Sequence, residues 1–238
     1  MRTGFDFFRE YLSGLTEKLG ISVTDGQYQL LYRVFTAVSE KNEVMNLTSL
    51  SGTGFIERNI ADSLSLLRLS ALRDAESLLD IGCGAGFPSF PVGIVSDKLH
   101  VTMLDATRKK IDFAGQVIRE LDLRNFTAVC ARAEDFIRGK RESFEAVTAR
   151  AVAGLNILCE LALPYVKTGG VFVAMKGEKY SEEIESVRRA LGILGCGVEQ
   201  VHKYELSSSA GYHVVIKKYR QTAGLYPRKY ADILKNPL

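Results

Sequence analysis

The sequence is short of the residues that hold metal ions. It has three histidines, His100, His202 and His213, and none of them lies at metal-ligand spacing from another histidine or from a cysteine. The four cysteines form no Cys-x-x-Cys pair and lie at Cys83, Cys130, Cys159 and Cys196. Three of the cysteines fall in apolar stretches, so we expect reduced and mostly buried thiols. We therefore predict no metal site.

Long apolar runs are missing too. No stretch approaches the about 20 consecutive apolar residues of a membrane-spanning helix, and the amino terminus shows no apolar core of a signal peptide. The 238 residues are 46% hydrophobic and 25% charged, which is typical of a globular protein with a sizeable core. We expect a cytoplasmic, monomeric protein with no membrane partner.

The first part of the chain has helical periodicity. Apolar residues recur at intervals of three and four from Phe5 to Leu15 and from Leu30 to Val38. Asp25 is the predicted N-cap of the second of these helices. A third helix is predicted from about Phe55 to about Leu69.

From Ser77 onward, strand patterns alternate with helix patterns, which predicts a parallel sheet with right-handed crossovers. The loop from Ser207 to Gly211 joins the last two strands and suits an antiparallel hairpin at the sheet edge. Seven strands ending in a hairpin match, by analogy, the α/β, Rossmann-like sheet of class I methyltransferases. We assign residues 1–72 to a helical extension packed on the core and residues 73–238 to the core with a basic tail. The predicted strands are Leu78–Ile81, Val101–Asp105, Thr127–Cys130, Ala146–Ala149, Val171–Met175, Val198–Tyr204 and His213–Tyr219.

A glycine-rich turn is the most informative motif. The segment SLLDIGCGAGFPSFP, which begins at Ser77, places three alternating glycines after a predicted strand, at Gly82, Gly84 and Gly86. A strand, a glycine turn and a helix let bare backbone approach a nucleotide-like ligand, because a Cβ atom would block it. Phe87 replaces the third glycine of the dinucleotide fold. With Asp80 before them, the glycines fit an S-adenosylmethionine site better than a pyrophosphate site.

Polar residues that follow the next two strands complete a predicted nucleoside pocket. Asp105 ends the second strand and can accept hydrogen bonds from both ribose hydroxyls of an adenosine. The loop after the third strand usually contacts the adenine, where Glu134 and backbone amides can bind the purine edge. Asp135 in that loop is equally well interpreted as a helix N-cap.

Basic residues follow the ends of several predicted strands. The net charge of +3 is too small to indicate a nucleic acid partner by itself. A basic rim around a nucleoside pocket nevertheless favours a nucleic acid substrate, because arginine and lysine bind phosphates. Solvated charges balanced by the 28 acidic residues are the alternative. The basic residues are Arg58, Arg108, Lys109, Lys110, Arg132, Arg150, Lys176, Arg220, Arg228, Lys229 and Lys235.

Two devices for methylating bases are missing. The end of the fourth strand reads Thr148-Ala149-Arg150-Ala151, not the Asn/Asp-Pro-Pro-aromatic turn that serves exocyclic amino groups. No proline is followed by the cysteine that pyrimidine carbons require. Guanine N7 needs neither device, since it has an in-plane lone pair and no proton. Elimination therefore favours N7.

The chain resembles the bacterial ribosomal RNA small subunit methyltransferase G family, which methylates guanine N7 and is also called glucose-inhibited division protein B. The glycine motif occurs in many methyltransferases, whereas its combination with the other segments is specific. The matching segments are Asn46-Leu47-Thr48, Asp62-Ser63-Leu64, Asp80 to Pro88, Leu104-Asp105, Arg132 to Asp135, Ala149 to Ala153, Lys176-Gly177, Tyr226-Pro227-Arg228 and Lys235 to Leu238.

The resemblance implies S-adenosyl-L-methionine as cofactor and N7-methylguanosine in the decoding-region loop of 16S ribosomal RNA as product. The implied partner is the small ribosomal subunit or an assembly intermediate. Catalytic roles fall on Arg132 and Arg150. RNA contacts are expected at Lys109, Arg132, Lys176 and Arg228. Cofactor contacts are expected at Gly82, Gly84, Gly86, Phe87, Asp105, Ala106, Thr107, Ala133, Glu134 and Arg150.

Four positions depart from the family pattern. Asn59 replaces a common histidine, Cys83 a serine or threonine, Ser89 a glycine, and Tyr212 an arginine expected to contact RNA. A small-molecule or protein methyltransferase and an inactive nucleoside-binding protein remain alternatives. An NAD oxidoreductase is disfavoured by Phe87 and by the lack of a Tyr-x-x-x-Lys pair.

Overall fold

The computed structural model describes residues 4–207 and 210–238. Within these ranges one sheet holds seven strands in the order β3-β2-β1-β4-β5-β7-β6. The strands are β1 (Ser77–Ile81), β2 (His100–Asp105), β3 (Phe126–Cys130), β4 (Phe144–Arg150), β5 (Val166–Lys176), β6 (Cys196–Glu205) and β7 (Ala210–Lys218).

The strand order creates a crevice at the middle of the sheet. Strands β1 to β5 are parallel, and β7 runs antiparallel to both β5 and β6. The chain first builds outward from β1 through β2 to β3 and then crosses back to β4 on the other side of β1. Such a switch point opens a crevice at the carboxyl ends of the strands, where ligands of α/β sheets bind. The predicted seven-stranded fold is confirmed.

Helices cover both faces because neighbouring strand residues point to opposite sides. The longer helices are α1 (Gly4–Leu19), α2 (Asp25–Met45), α6 (Ser89–Val95), α7 (Arg108–Glu120), α9 (Leu155–Ala162) and α10 (Tyr180–Leu194), and the shorter ones are α3 (Gly52–Phe55), α4 (Asp62–Leu64), α5 (Ser70–Arg73), α8 (Ala133–Phe136) and α11 (Tyr230–Lys235). Leu78 packs in a cluster with the amino-terminal helices, α6 and α7, whereas Leu79 packs with α9 and α10.

The amino-terminal extension shares its core with the sheet. Phe8 and Leu12 of α1 and Leu31 of α2 belong to the same hydrophobic cluster as Leu78 of β1 and Val101 of β2. Burying one continuous apolar surface fixes the extension against the sheet. None of the helices within the described ranges is long and apolar enough to cross a bilayer.

The predicted N-cap of α2 is one residue off. Thr24 is the N-cap, because its hydroxyl accepts a hydrogen bond from the Gln27 N–H (3.3 Å) while the Gln27 side chain accepts one from the Thr24 N–H (2.9 Å). This reciprocal capping box satisfies two amide donors at the helix start. Asp25 lies in the first turn instead.

Two other predicted helices differ in detail from the structure. The helix expected from Phe55 to Leu69 is present from Gly52 to Arg68 but is irregular, because a π-helix at Ile56–Ala61 and a 3₁₀ turn at Ser65–Arg68 interrupt its α-helical turns. The sequence predicts a helix from Leu155 to Val166, whereas α9 ends at Ala162 because Pro164, in the turn that follows, has no N–H to continue it. In the predicted hairpin loop, Ala210 already belongs to β7, and residues 208 and 209 lie outside the described ranges.

An ion pair fixes the carboxyl-terminal segment to the core. Glu160 of α9 is fully buried, and both of its oxygens accept N–H groups of Arg228, with Nε 2.8 Å from Oε1 and Nη2 2.6 Å from Oε2. Ile233 of α11 packs nearby on Ile157 and Leu161. A buried carboxylate thus has a bidentate partner, the strongest geometry for this pair.

Replacing Arg228 by alanine leaves Glu160 as an unpaired buried charge, so we expect the free energy of unfolding to fall by about 3 kcal/mol. The matched control is Arg124→Ala, which removes the exposed pair with Asp122 (3.0 Å) and is expected to cost under about 1 kcal/mol. Urea denaturation of the three proteins measures both changes. Equal losses in the two variants would contradict a structural role for Arg228.

Candidate active site

The glycine turn follows β1 in a conformation that other residues rarely adopt. Gly82, Gly84 and Gly86 have φ angles of 74°, 58° and 98°. A Cβ atom on Gly82 would lie 2.5 Å from Cγ2 of Val152, and one on Gly86 would lie 2.1 Å from Cδ2 of Phe90. The Gly82 N–H donates to the Leu104 carbonyl (2.7 Å), which fixes the turn to β2. The backbone therefore favours glycine at all three positions, and packing also requires it at Gly82 and Gly86.

Asp105 lies beside this turn at the end of β2. Its Oδ2 accepts the Gly84 N–H at 3.1 Å, and its Oδ1 accepts the Thr107 N–H at 2.8 Å. The Lys110 ammonium is 3.9 Å from Oδ2. Two backbone donors therefore fix the direction of a carboxylate whose remaining lone pairs are free for a ligand.

A first cavity of about 250 Å³ opens at the ends of β1, β2 and β3. It gathers five of the residues predicted to bind the cofactor, which are Gly82, Asp105, Ala106, Ala133 and Glu134. It also gathers Tyr230 of α11 and Val152 and Leu161, which the sequence patterns did not indicate. Tyr230 lies about 100 residues beyond the predicted pocket residues and carried no motif that could reveal it.

The other predicted cofactor residues lie outside the lining of the first cavity. Gly84 and Gly86 shape the turn, and Thr107 precedes α7. Phe87 is buried, with its ring 5.4 Å from that of Phe55 in the amino-terminal extension. Arg150 lines a different cavity.

Asp80 of β1 is hydrogen-bonded to Ser89 of α6, so the two residues tie together the elements on either side of the glycine turn. Asp80 is fully buried, and its Oδ2 accepts a hydrogen bond from the Ser89 hydroxyl at 2.6 Å. Its Oδ1 has no hydrogen-bond partner within the described residues. Burial raises the pKa of Asp80 to about 6, although the Ser89 hydrogen bond and the Arg150 charge act in the opposite direction. Ser89, a departure from the family pattern, thus supplies a polar partner that glycine lacks.

A second cavity of about 480 Å³ lies between the extension and the ends of β4 and β5. Its polar lining comes from both sides, and Ala151 lines both cavities. The two cavities are therefore neighbours at the end of β4. The polar residues of the second cavity are Arg58, Asn59, Asp62, Arg150, Lys176 and Tyr204.

Arg150 joins the extension to the sheet. Its Nη1 donates to the Arg58 carbonyl (2.8 Å) and to Oδ2 of Asp62 (3.1 Å), and its Nη2 donates to Oδ1 of Asn59 (2.9 Å). Its guanidinium carbon lies 5.8 Å from the centre of the Phe87 ring. Asn59, where the family often has histidine, is thus a direct partner of Arg150.

The four predicted RNA-binding residues lie in different environments. Lys109 and Arg132 are exposed near the rim of the first cavity, with the Arg132 guanidinium 5.8 Å from the centre of the Tyr230 ring. The Lys176 side chain is only 9% exposed and pairs with Glu183 at 2.7 Å. Arg228 pairs with the buried carboxylate of α9. The geometry therefore leaves Lys109 and Arg132 as the more accessible pair.

A polar cluster that extends from the lining of the second cavity into the core was not predicted. The Tyr204 hydroxyl donates to Oδ1 of Asp62, and the Tyr204 ring stacks on His213 with centres 4.4 Å apart. Nε2 of His213 is 2.9 Å from the Ser65 hydroxyl. Burial lowers the pKa of His213 to about 3, so this histidine is neutral at physiological pH.

No cluster of three or more metal-ligating side chains occurs within residues 4–207 and 210–238. The site therefore combines two features. The Asp105 carboxylate lies beside the glycine turn, and the Arg150 guanidinium lies in the polar network of the neighbouring cavity.

Two solved methyltransferases have a similar fold. The O-methyltransferase from Bacillus cereus, solved in complex with SAH, superposes with a TM-score of 0.58 and 16% identity, covering 90% of this chain and 100% of that one. The O-methyltransferase TomG from Streptomyces achromogenes, solved with SAM, has a TM-score of 0.58 and 15% identity and covers 92% of this chain and 100% of its own. At these identities the likeness shows the fold alone.

Sequence relatives are much closer. The family model described as rRNA small subunit methyltransferase G (GidB) matches residues 27–210. A protein of that name from Staphylococcus carnosus is 42% identical over 233 residues, which are 94% of this chain and 97% of the relative. One from Clostridium botulinum (strain Alaska E43) is 34% identical over 236 residues, 97% of this chain and 99% of the relative. The chain belongs to the rRNA small subunit methyltransferase G family.

Proposed function

We propose that this methyltransferase transfers the methyl group of S-adenosyl-L-methionine to N7 of a guanine in the decoding-region loop of 16S ribosomal RNA. The observation that carries the proposal is the adjacency of two cavities at the end of β4. The first cavity offers a glycine turn and the Asp105 carboxylate, and the second offers Arg150 and other cations. A nucleoside cofactor fits the first set of groups, and a nucleotide of an RNA fits the second.

The first cavity has the groups that an adenosine moiety requires. Asp105 would accept hydrogen bonds from the ribose hydroxyls, and the loop with Ala133 and Glu134 would contact the purine. The glycine turn leaves backbone bare on the side that a Cβ atom would otherwise fill. When bound, S-adenosyl-L-methionine supplies a methyl group on a cationic sulfur, which passes to N7 as the carbon–sulfur bond breaks and the nitrogen–carbon bond forms.

The acceptor needs orientation rather than proton removal. N7 of guanine has a lone pair in the ring plane and no proton, so the protein needs no general base. His213, with its pKa lowered to about 3 by burial, is enclosed behind the second cavity. Holding the acceptor in line is worth up to about 7–11 kcal/mol of barrier. The residues of the second cavity supply that orientation.

The RNA partner is the small ribosomal subunit or an intermediate of its assembly. Lys109 at the start of α7 and Arg132 before α8 are exposed beside the first cavity, and Arg58 is exposed on the second. Lysine and arginine at these places bind phosphates around the target nucleotide.

The first test concerns the cofactor. Asp105→Ala removes a charged acceptor whose hydrogen bonds contribute about 1.5–3 kcal/mol each, so S-adenosylmethionine affinity is expected to fall at least about tenfold. Calorimetry measures the affinity, and circular dichroism checks the fold. Asp112→Ala, which removes an exposed carboxylate of α7, is the control and should bind normally. Unchanged affinity in a folded Asp105→Ala variant would show that the carboxylate has no role in binding.

The second test concerns RNA. Replacing both Lys109 and Arg132 by alanine should weaken RNA binding and reduce the log–log salt slope by about 1.4–1.8 units, since each phosphate contact contributes about 0.7–0.9. The control pair, Lys98→Ala and Arg124→Ala, removes exposed charges that precede β2 and β3 and so lie at the opposite edge of the sheet. A salt slope equal to that of the wild type in the Lys109/Arg132 variant would remove these residues from the interface.

The third test concerns the acceptor atom. Mapping modified nucleotides in 16S RNA from cells with and without the protein locates the target, and 7-deazaguanosine is then placed there in a synthetic RNA. The substitution removes the N7 lone pair, so methylation should stop while RNA binding persists. On natural RNA, single-turnover rates should be nearly flat from about pH 7 to 8.5 because no general base titrates. Methylation of the 7-deaza RNA would overturn the N7 assignment.

A further inference from the structure

A single carboxylate stands among cations in the second cavity. Within the described lining, Asp62 is the acidic residue, and Arg58, Arg150 and Lys176 are the basic ones. The Asp62 side chain is 19% exposed and that of Arg150 is 20% exposed, so both reach the cavity surface. Asp62 pairs with Arg150, but its carboxylate also reaches the cavity surface, where it would repel a phosphate. The carboxylate indicates a ligand that also has hydrogen-bond donors.

The Asp62 carboxylate is held in place and keeps free acceptor capacity. The Tyr204 hydroxyl donates to Oδ1, and Nη1 of Arg150 lies 3.1 Å from Oδ2. Two carboxylate oxygens offer about four lone-pair sites, so about two remain for a ligand. Tyr204 and Arg150 thus set the direction of the carboxylate without saturating it.

The order of the two charged groups matches the edge of guanine. Arg150 lies next to Ala151, which lines both cavities, and over Phe87 of the glycine turn, whereas Asp62 belongs to the extension. A guanine whose N7 points toward the first cavity presents its O6 acceptor first and its N1–H and N2–H donors beyond it. The Arg150 donors would then meet O6, and the Asp62 acceptor would meet N1–H and N2–H. Adenine has an amino donor in place of O6, and that donor would face the arginine unfavourably.

We propose that Asp62 selects guanine by accepting hydrogen bonds from N1–H and N2–H of the target base in the second cavity. This inference rests on the proposed function, since it names the residue that recognises the base at the same site. Asp62 is a specificity-determining residue, and Tyr204 is the positioning residue that orients it. A site built to bind a donor disfavours an analogue without that donor, because the buried acceptor is left unpaired.

The experiment compares guanosine with inosine at the mapped target position of the synthetic RNA. Inosine keeps N7, O6 and N1–H and lacks only the 2-amino group. Wild-type protein should prefer guanosine over inosine by about 10- to 100-fold in kcat/KM, the value of one charge-assisted hydrogen bond. In Asp62→Asn this preference should shrink to about threefold or less. Tyr204→Phe, which removes the hydroxyl that orients the carboxylate, should reduce the preference by a smaller factor. Arg58→Ala is the matched control, because it removes a cation of the same cavity and leaves both Asp62 and Tyr204, so its guanosine-to-inosine ratio should stay near the wild-type value whatever its effect on RNA affinity.

The outcomes separate this inference from the proposed function. Absence of guanosine methylation by wild-type protein would refute the proposed function itself. Equal rates on guanosine and inosine with wild-type protein, which needs no variant to fold, would overturn the role of Asp62 alone. So would a wild-type preference retained in Asp62→Asn. Should that variant be too slow to assay, equilibrium binding of the two RNAs in the presence of S-adenosylhomocysteine measures the same preference, and an unchanged ratio there would equally overturn the role of Asp62.

Discussion

The guanidinium of Arg150 is the fixed point on which the rest of the site depends. Its planar fork makes three hydrogen bonds to the extension, to the Arg58 carbonyl, to Asn59 and to Asp62, and its face lies near the Phe87 ring. Because the side chain is only 20% exposed, these charge-assisted bonds are weakly screened by solvent. The end of β4, the glycine turn and the extension therefore keep one relative geometry. Without the Arg150 hydrogen bonds, the extension and the end of β4 would not hold the lining of the second cavity in place.

The partners of Arg150 lie in and beside the irregular segment before β1. A π-helical turn runs through Ile56–Ala61, and such turns often occur at functional sites. Within it the Arg58 carbonyl accepts a bond from Arg150, while Asn59 and Asp62, three positions apart, share the helix face that meets the arginine. The periodicity of apolar residues predicts only a helix here. Arg150, which bonds to this segment, follows about 90 residues later, beyond any local pattern.

Much of the fold and part of the site could be predicted from local patterns. Strand periodicity revealed the sheet, and the glycine turn and Asp105 followed from their spacing. Residues that reach the site from distant elements could not be found this way, as Tyr230 of α11 and Tyr204 of β6 show. The partner of a charge is equally hidden: Lys176 looks like any basic residue after a strand, yet Glu183 pairs with it. Such pairing depends on tertiary packing, which no single sequence segment encodes.

The proposed methyl transfer needs a donor and an acceptor that meet at one point, and the loop after β4 lies between the two cavities proposed to hold them. Arg150 belongs to the second cavity, whereas Val152 lines the first and packs against Gly82. Ala151 between them lines both cavities and has a φ of 54°, a left-handed conformation that costs a non-glycine residue roughly 1 kcal/mol. Because the backbone turns sharply at Ala151, the side chains of Arg150 and Val152 line different cavities. The small side chain of Ala151 lies between the two cavities. In the proposed reaction, the acceptor and donor atoms meet at this alanine.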